Sequence, residues 1–365
     1  MPDLHHRLAR MANRVDQRID SWFYRPKPGP CAAPVRIFPF PGFITAEQIY
    51  LKGRVLVDKA IPAAGERDTV WANLRHMFLR FESDEIPGAR LLARYRGLEQ
   101  VVVADEEGFF EVEMHPPDLP PGAGQWEQVE LDLLEPQLAG CAQVRALAPV
   151  MHIPETAGFG VISDIDDTVW QSYVNRPLYL ARTLFLGNAH TRQAFPGVAA
   201  FYHALQLGTQ PAPVNPIFYV SSTPWNIFDV FVQFCALQSI PAGPTLFLRG
   251  WGIQEDEILP TRHHKHKLNA IRSIFDRIPR LPFILIGDSG QLDAEIYAQA
   301  ARADPERVMA VYIRDVLLNA RRTAAIQALA GELAGLGVDL VLSADTGRMA
   351  EHAAQRGWIS ATASG

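Results

Sequence analysis

The sequence predicts an α/β fold: a doubly wound parallel sheet, preceded by a β-rich segment and an N-terminal amphipathic helix. Three observations predict it. From Gly158 onward, short apolar runs rich in β-branched residues alternate with helical stretches. Acidic and hydroxyl residues stand at the carboxyl ends of three of those runs, where open parallel sheets bind ligands. Before residue 150 the runs are short, closely spaced and punctuated by turns. A chain of 365 residues can bury a sizeable core and form two domains.

Residues 3–24 place Leu4, Leu8, Met11, Val15, Ile19 and Trp22 three or four positions apart, one apolar face of a helix. Arg7, Arg10, Arg14, Arg18, Arg25 and Lys27 oppose only Asp3, Asp16 and Asp20. Such a helix can dock on its own protein, lie on an anionic membrane surface or join two copies. Pro26, Pro28, Gly29, Pro30 and Pro34 end it in a stiff linker, so the first region spans residues 1–33.

Residues 34–150 read as an antiparallel, sandwich-like β domain, with strands at Ile49–Val57, Ala89–Tyr95, Gln100–Ala104, Phe109–Met114 and Gln128–Leu133. Asp105-Glu106-Glu107-Gly108 and the Pro116–Gly124 loop separate some of them, and Val70–Phe81 is either a helix or an irregular edge. Residues 151–365 hold the parallel sheet. Its strands are expected at Phe159–Ser163, Ile217–Ser221, Thr245–Leu248, Phe283–Gly287, Val308–Ile313 and Val338–Leu342. The crossover helices are Val198–Leu207, Ile227–Leu237, Lys267–Phe275, Asp293–Ala303 and Val316–Leu329, and a small helical cap fills about 170–195.

Composition narrows the function classes. With 48% hydrophobic and 20% charged residues the chain is ordinary globular protein, and its net charge of -6 gives no reason to expect nucleic-acid binding. Cys31, Cys141 and Cys235 are odd in number and widely spaced, which argues against a disulfide framework or a zinc knuckle. No apolar run approaches a membrane span and no secretory leader opens the chain, so the expectation is a cytoplasmic protein, with residues 3–24 offering peripheral contact at the inner membrane surface.

The chemistry concentrates at three strand ends. Asp164-Ile165-Asp166-Asp167-Thr168 follows the apolar run Phe159–Ile162. Two carboxylates that close ionise together only beside a cation, unless one keeps a proton, which suits Mg²⁺ with a nucleophile and an acid/base; the bland alternative is a solvated acidic turn. In extended geometry Asp164 and Asp166 project to one side and Asp167 to the other. Ile217–Ser221 runs into Ser222, Thr223 and Pro224, hydroxyls at a strand-to-helix turn that fit either a phosphate oxygen or an N-cap. Arg262–Lys267 leads into a helix, where a lysine in the first turn opposes the macrodipole and asks for a local anion; Lys267 is the better candidate and Lys265 the second. Finally, Phe283–Gly287 delivers Asp288, with Asp293 following, both able to supply oxygen to Mg²⁺.

In this order the motifs resemble those of the haloacid dehalogenase superfamily of phosphatases. The stretches Gly160–Thr168, Tyr219–Trp225 and Leu285–Gly290, with the β-rich segment ahead of them, resemble the phosphatidate phosphatase family typified by the fungal actin-patch protein. The resemblance implies that Asp164 is the nucleophile, forming an aspartyl-phosphate, and that Asp166 is the acid/base. Thr168 then steadies the turn, and Ser221 (or Ser222) and Lys267 bind phosphoryl oxygens. Mg²⁺ is held by Asp164, the Asp166 carbonyl and Asp288, with Asp293 close by. The implied substrate is phosphatidate or a related lipid phosphomonoester. A phosphatase for a protein, a nucleic-acid end or a soluble metabolite is the alternative, and a catalytically silent adaptor is a third reading. The family's segment similar to Leu248–Gly252 carries an acid where this chain has Gly250.

Overall fold

A computed structural model describes residues 35–57, 85–115, 126–137, 143–171, 192–210, 214–248, 260–317 and 319–360. The expected N-terminal helix, the Val70–Phe81 segment, most of the cap and Gly250 lie outside the described residues. Among these residues no helix is long and apolar enough to cross a membrane.

Six strands build the sheet that carries the motifs: β9 (Gly160–Ser163), β10 (Ile217–Pro224), β11 (Thr245–Leu248), β12 (Phe283–Asp288), β13 (Val308–Arg314) and β14 (Asp339–Ser343). Their order is β11-β10-β9-β12-β13-β14, and every neighbouring pair is parallel. Among the described residues six helices connect and flank them: α1 (Val198–Leu207), α2 (Phe228–Leu237), α3 (Pro260–Arg277), α4 (Asp293–Ala303), α5 (Ala320–Ala334) and α6 (Thr346–Gln355).

The period-two pattern of each strand sorts its side chains into two cores. Val161, Tyr219, Ile284, Ile286 and Tyr312 face α1, α2 and α6, meeting Phe201, Phe231, Phe234 and Met349. Ile162, Phe218, Val220, Leu285 and Val311 face the other way, onto Leu268, Ile271 and Ile274 of α3, Tyr297 of α4 and Ile326 of α5. Each such side chain contributes about 1.5–3 kcal/mol by leaving water, so the central strands are the most rigid support the chain offers. After β9 the chain lays down β10 and β11 on one side, then crosses to β12 on the other. That reversal opens a crevice at the carboxyl ends of β9 and β12.

The β-rich strands are β1 (Val35–Pro39), β2 (Gly42–Ile44), β3 (Ile49–Val57), β4 (Arg90–Tyr95), β5 (Leu98–Val103), β6 (Phe109–Met114), β7 (Trp126–Glu135) and β8 (Arg145–His152). Here the all-antiparallel part of the expectation is corrected at one pair. The eight strands form one hydrogen-bonded sheet, and its β2–β8 pair is parallel. The long β3 carries β1 and β2 along one edge and β6 along the other. Strand β6 also meets β5, where Glu113 N–H donates to Gln100 Oε1 at 3.1 Å. Side chains of β1, β3 and β6 share one core with those of β4, β7 and β8, the arrangement of two packed layers. Gly42 permits the close pairing of β2 with β3, because a Cβ there would stand 2.2 Å from the Tyr50 carbonyl oxygen.

The two sheets share packing. Phe43 and Tyr50 join the core beneath α3, with the Phe43 ring 5.6 Å from Phe218. Phe38 and Phe40 pack edge-on against Phe228 at 5.8 and 5.2 Å. The Arg54 guanidinium lies between Trp225 and Phe109, 4.3 and 4.5 Å from their ring centres. Thus β3 and β6 bear directly on the turn that follows β10.

Candidate functional site

Strand β9 ends at Ser163, so the acidic peptide is a turn rather than an extended strand. Strict strand alternation therefore does not govern where its carboxylates point. The N–H groups of Thr168 and Val169 both return to the Ile165 carbonyl, at 3.3 and 2.9 Å. Asp167 takes the left-handed conformation, φ 55°, that lets the turn close; among non-glycine residues Asp and Asn tolerate it best.

Asp164 and Asp166 are both buried, and their carboxylates have separate partners. Asp164 accepts from Lys267 Nζ at 2.7 Å on Oδ1 and from Thr168 Oγ1 at 3.1 Å on Oδ2. Asp166 accepts from the Trp170 indole N–H at 3.0 Å on Oδ1 and from Ser221 Oγ at 3.1 Å on Oδ2. Ser221 is thus brought to the site, with its hydroxyl directed at Asp166. Ser222 belongs to β10, but its side chain lies outside the described residues. The strand continues to Pro224 and a 3₁₀ turn, Trp225–Ile227, precedes α2, so Pro224 closes a strand instead of opening a helix.

Helix α3 starts at Pro260, which places Lys267 two turns inside it and removes the macrodipole argument for that lysine. Lys267 is 1% exposed, whereas Lys265 is exposed to solvent. The Lys267 ammonium also donates to Asp293 Oδ1. Burial opposes its charge, but the two carboxylates outweigh that and hold its pKa above the ordinary value. Asp293 uses its second oxygen to accept the Asp288 N–H at 3.0 Å. Gly287 makes this possible: a Cβ there would stand 2.4 Å from Asp293 Oδ2. Asp288 in turn accepts from the backbone N–H groups of Gly290 and Gln291 at 2.6 and 3.0 Å on Oδ1.

Asp164, Asp288 and Asp293 offer carboxylate oxygens within 4.8 Å of one another. Burial first, and then the neighbouring carboxylates, push Asp164 and Asp288 well above the usual carboxylate range; Lys267 offsets only part of this. Three buried acids beside one ammonium, with oxygen the only donor type, fit a hard divalent cation such as Mg²⁺ and not a thiolate-seeking metal. Asp293 accepts from Lys267 on one oxygen and from the Asp288 N–H on the other, and so ties the lysine to the Asp288 turn.

Three further residues belong to this constellation without having been singled out in the sequence. Trp170 supplies the N–H to Asp166, and the Arg192 guanidinium lies 3.9 Å over its ring. Gln291 Nε2 donates to the Asp166 carbonyl at 3.3 Å and to Asp288 Oδ2 at 3.1 Å. Trp170 stands four residues after Asp166, the span of one turn, and that spacing was the available signal. At the base of the expected cap, Gln171 N–H donates to the Gln193 carbonyl at 2.9 Å, pinning its two ends side by side.

Residues 159–315 match the model of the phosphatidate phosphatase APP1 catalytic domain. The match takes in every residue of the cluster, from Asp164 to Asp293. The chain is 34% identical over 161 residues to phosphatidate phosphatase APP1 of Saccharomyces cerevisiae, covering 43% of this chain and 26% of that protein. It is 30% identical over 244 residues to an uncharacterized protein of Schizosaccharomyces pombe, covering 64% of this chain and 38% of that one. The chain therefore spans well under half the length of these two relatives. Among solved structures, a carbohydrate acetylesterase from Xanthomonas citri aligns over 84% of this chain and 69% of its own, at 11% identity and a TM-score of 0.26, too low to carry an argument.

Proposed function

We propose that this APP1-like chain is a phosphoric monoester hydrolase of the haloacid dehalogenase type, acting through an aspartyl-phosphate on phosphatidate or a related lipid phosphate. The observation that carries the proposal is the division of partners between two neighbouring carboxylates. Asp164 is tied to an ammonium, and Asp166 to an indole N–H and a hydroxyl. A nucleophile facing a phosphate dianion needs a cation beside it, and an acid/base needs an orientation of its own.

In this reading an Asp164 carboxylate oxygen attacks phosphorus as the ester P–O bond breaks. The leaving alkoxide takes the proton of the Asp166 carboxyl group. Asp166, now a carboxylate, removes a proton from water, which attacks the aspartyl-phosphate, releases inorganic phosphate and restores Asp164. Lys267 and Ser221 stabilise the phosphoryl oxygens as charge spreads over them. Asp164, Asp288 and the Asp166 carbonyl would hold Mg²⁺, which would supply neutralising charge and help orient the phosphoryl group. A lipid substrate is supported by the APP1 similarity and by the Arg-rich helix expected at residues 3–24, which would bring a cytoplasmic enzyme to an anionic bilayer.

Hydrolysis of phosphatidate in mixed micelles, set beside a panel of soluble phosphomonoesters, tests the substrate class. Selective lipid turnover that falls when residues 1–25 are removed is the expected result. Equal turnover of soluble esters by both forms would move the assignment to a soluble or protein-borne phosphate.

A further inference from the structure

Gln291 joins the two strand ends between which the cation is proposed to sit. Its Nε2 donates at once to the Asp166 carbonyl, beyond β9, and to Asp288 Oδ2, at the end of β12. The proposed function assigns the first of these oxygens, and the carboxylate that carries the second, to Mg²⁺. Its backbone is held from both sides, the N–H by Asp288 Oδ1 at 3.0 Å and the carbonyl by Arg322 Nη2 at 2.7 Å. Arg322 is itself fixed by Glu295 and by the Ser289 carbonyl at 2.8 Å. The main chain is therefore anchored while the carboxamide turns on its own torsions.

Each of these oxygens has two lone pairs, but an N–H group and a divalent cation that each bridge the two oxygens compete for the pair directed between them. The amide protons carry partial positive charge, and a cation drawing on those lone pairs repels them. A carboxamide also has a second face: turned over, its Oε1 presents a lone pair to the ion or to one of its waters. We propose that the Gln291 carboxamide is a latch on the cation site: it bridges Asp166 and Asp288 through N–H donors, and it must turn or withdraw when the cation binds. The inference rests on the cation reading above and adds a residue that sets how tightly the ion is held. Gln291 is in this sense a positioning residue, since it acts through Asp288 and the Asp166 carbonyl.

The test is a thermodynamic cycle on the full-length protein, with Mg²⁺ alone as titrant. Wild type, Gln291→Ala and Gln291→Glu are compared by isothermal titration and by thermal denaturation with and without Mg²⁺. Losing two hydrogen bonds that compete with the ion is expected to tighten Mg²⁺ binding of Gln291→Ala by about three- to tenfold. Its Tm should fall without Mg²⁺ and return to the wild-type value at saturation. Gln291→Glu, with an acceptor where the donor stood, should bind Mg²⁺ more tightly still. Equal Tm losses with and without Mg²⁺, at unchanged affinity, would reduce Gln291 to packing and overturn the latch. Weaker binding by Gln291→Ala would make it a plain ligand and overturn it equally. Wild type that binds no Mg²⁺ would instead remove the cation reading itself, a separate failure visible before any variant is made.

Discussion

At the scale of single residues, the buried charges decide what each substitution does. The Lys267 ammonium pairs with both Asp164 and Asp293, so Lys267→Ala leaves two buried carboxylates without it. Breaking a buried pair in this way is expected to cost about 3–5 kcal/mol and to abolish turnover, while the exposed Lys265→Ala stays within about 0.5 kcal/mol of wild type. Denaturant titration of both variants checks it, and equal losses would contradict it. Trp170→Phe keeps the ring that packs on Phe231 and Phe234 and deletes only the N–H to Asp166. Turnover should fall by roughly tenfold with little change in Tm, the mark of a lost orienting bond. Asp164 and Asp288 also give a sign for pH. Their pKa values are raised in the fold, so their contribution to stability is full below the ordinary value of 3.8 and is lost as pH rises through the raised values. Without divalent cation, Tm should therefore decline from about pH 4 upward, and Mg²⁺ should flatten the decline. A Tm profile that Mg²⁺ shifts equally at every pH would contradict it.

At the scale of elements, the parallel strands were legible because continuous apolar runs mean burial on both faces, and α1 and α4 were legible to the residue. Other boundaries were hidden by particular residues. The Arg262–Lys267 run looks like a solvated loop, although the helix it belongs to opens favourably with Pro260. Strand β8 contains Pro149, which demotes a run in a sequence reading. Helix α6 announces itself only through Asp345, which caps the Gly347 N–H at 2.9 Å. The acids of the site were visible from their strand ends. Trp170 and Gln291 were not, because a donor's value depends on which acceptors the fold brings opposite it.

At the scale of the whole molecule, the β-rich sheet supports the turn that follows β10, the strand that carries Ser221. Phe38, Phe40, Arg54 and Phe109 surround Trp225 and Phe228, and Phe43 and Tyr50 complete the core under α3. Gln48 Nε2 adds a hydrogen bond of 2.9 Å to the Arg277 carbonyl at the end of α3. Two sheets with a common core are expected to unfold in one calorimetric transition, and two well-separated transitions would contradict that. Phe109→Ala should cost about 3–5 kcal/mol and lower the common transition, although Phe109 lies in the sheet that carries none of the acids.

The central claim is that Asp164 receives the phosphoryl group, and acid quenching of the enzyme during turnover of a labelled phosphomonoester tests it most directly. The account predicts a hydroxylamine-sensitive acyl-phosphate mapped to Asp164 by mass spectrometry, with neither label nor turnover in a folded Asp164→Asn variant. Label on another residue, or near-normal turnover by Asp164→Asn, would contradict it.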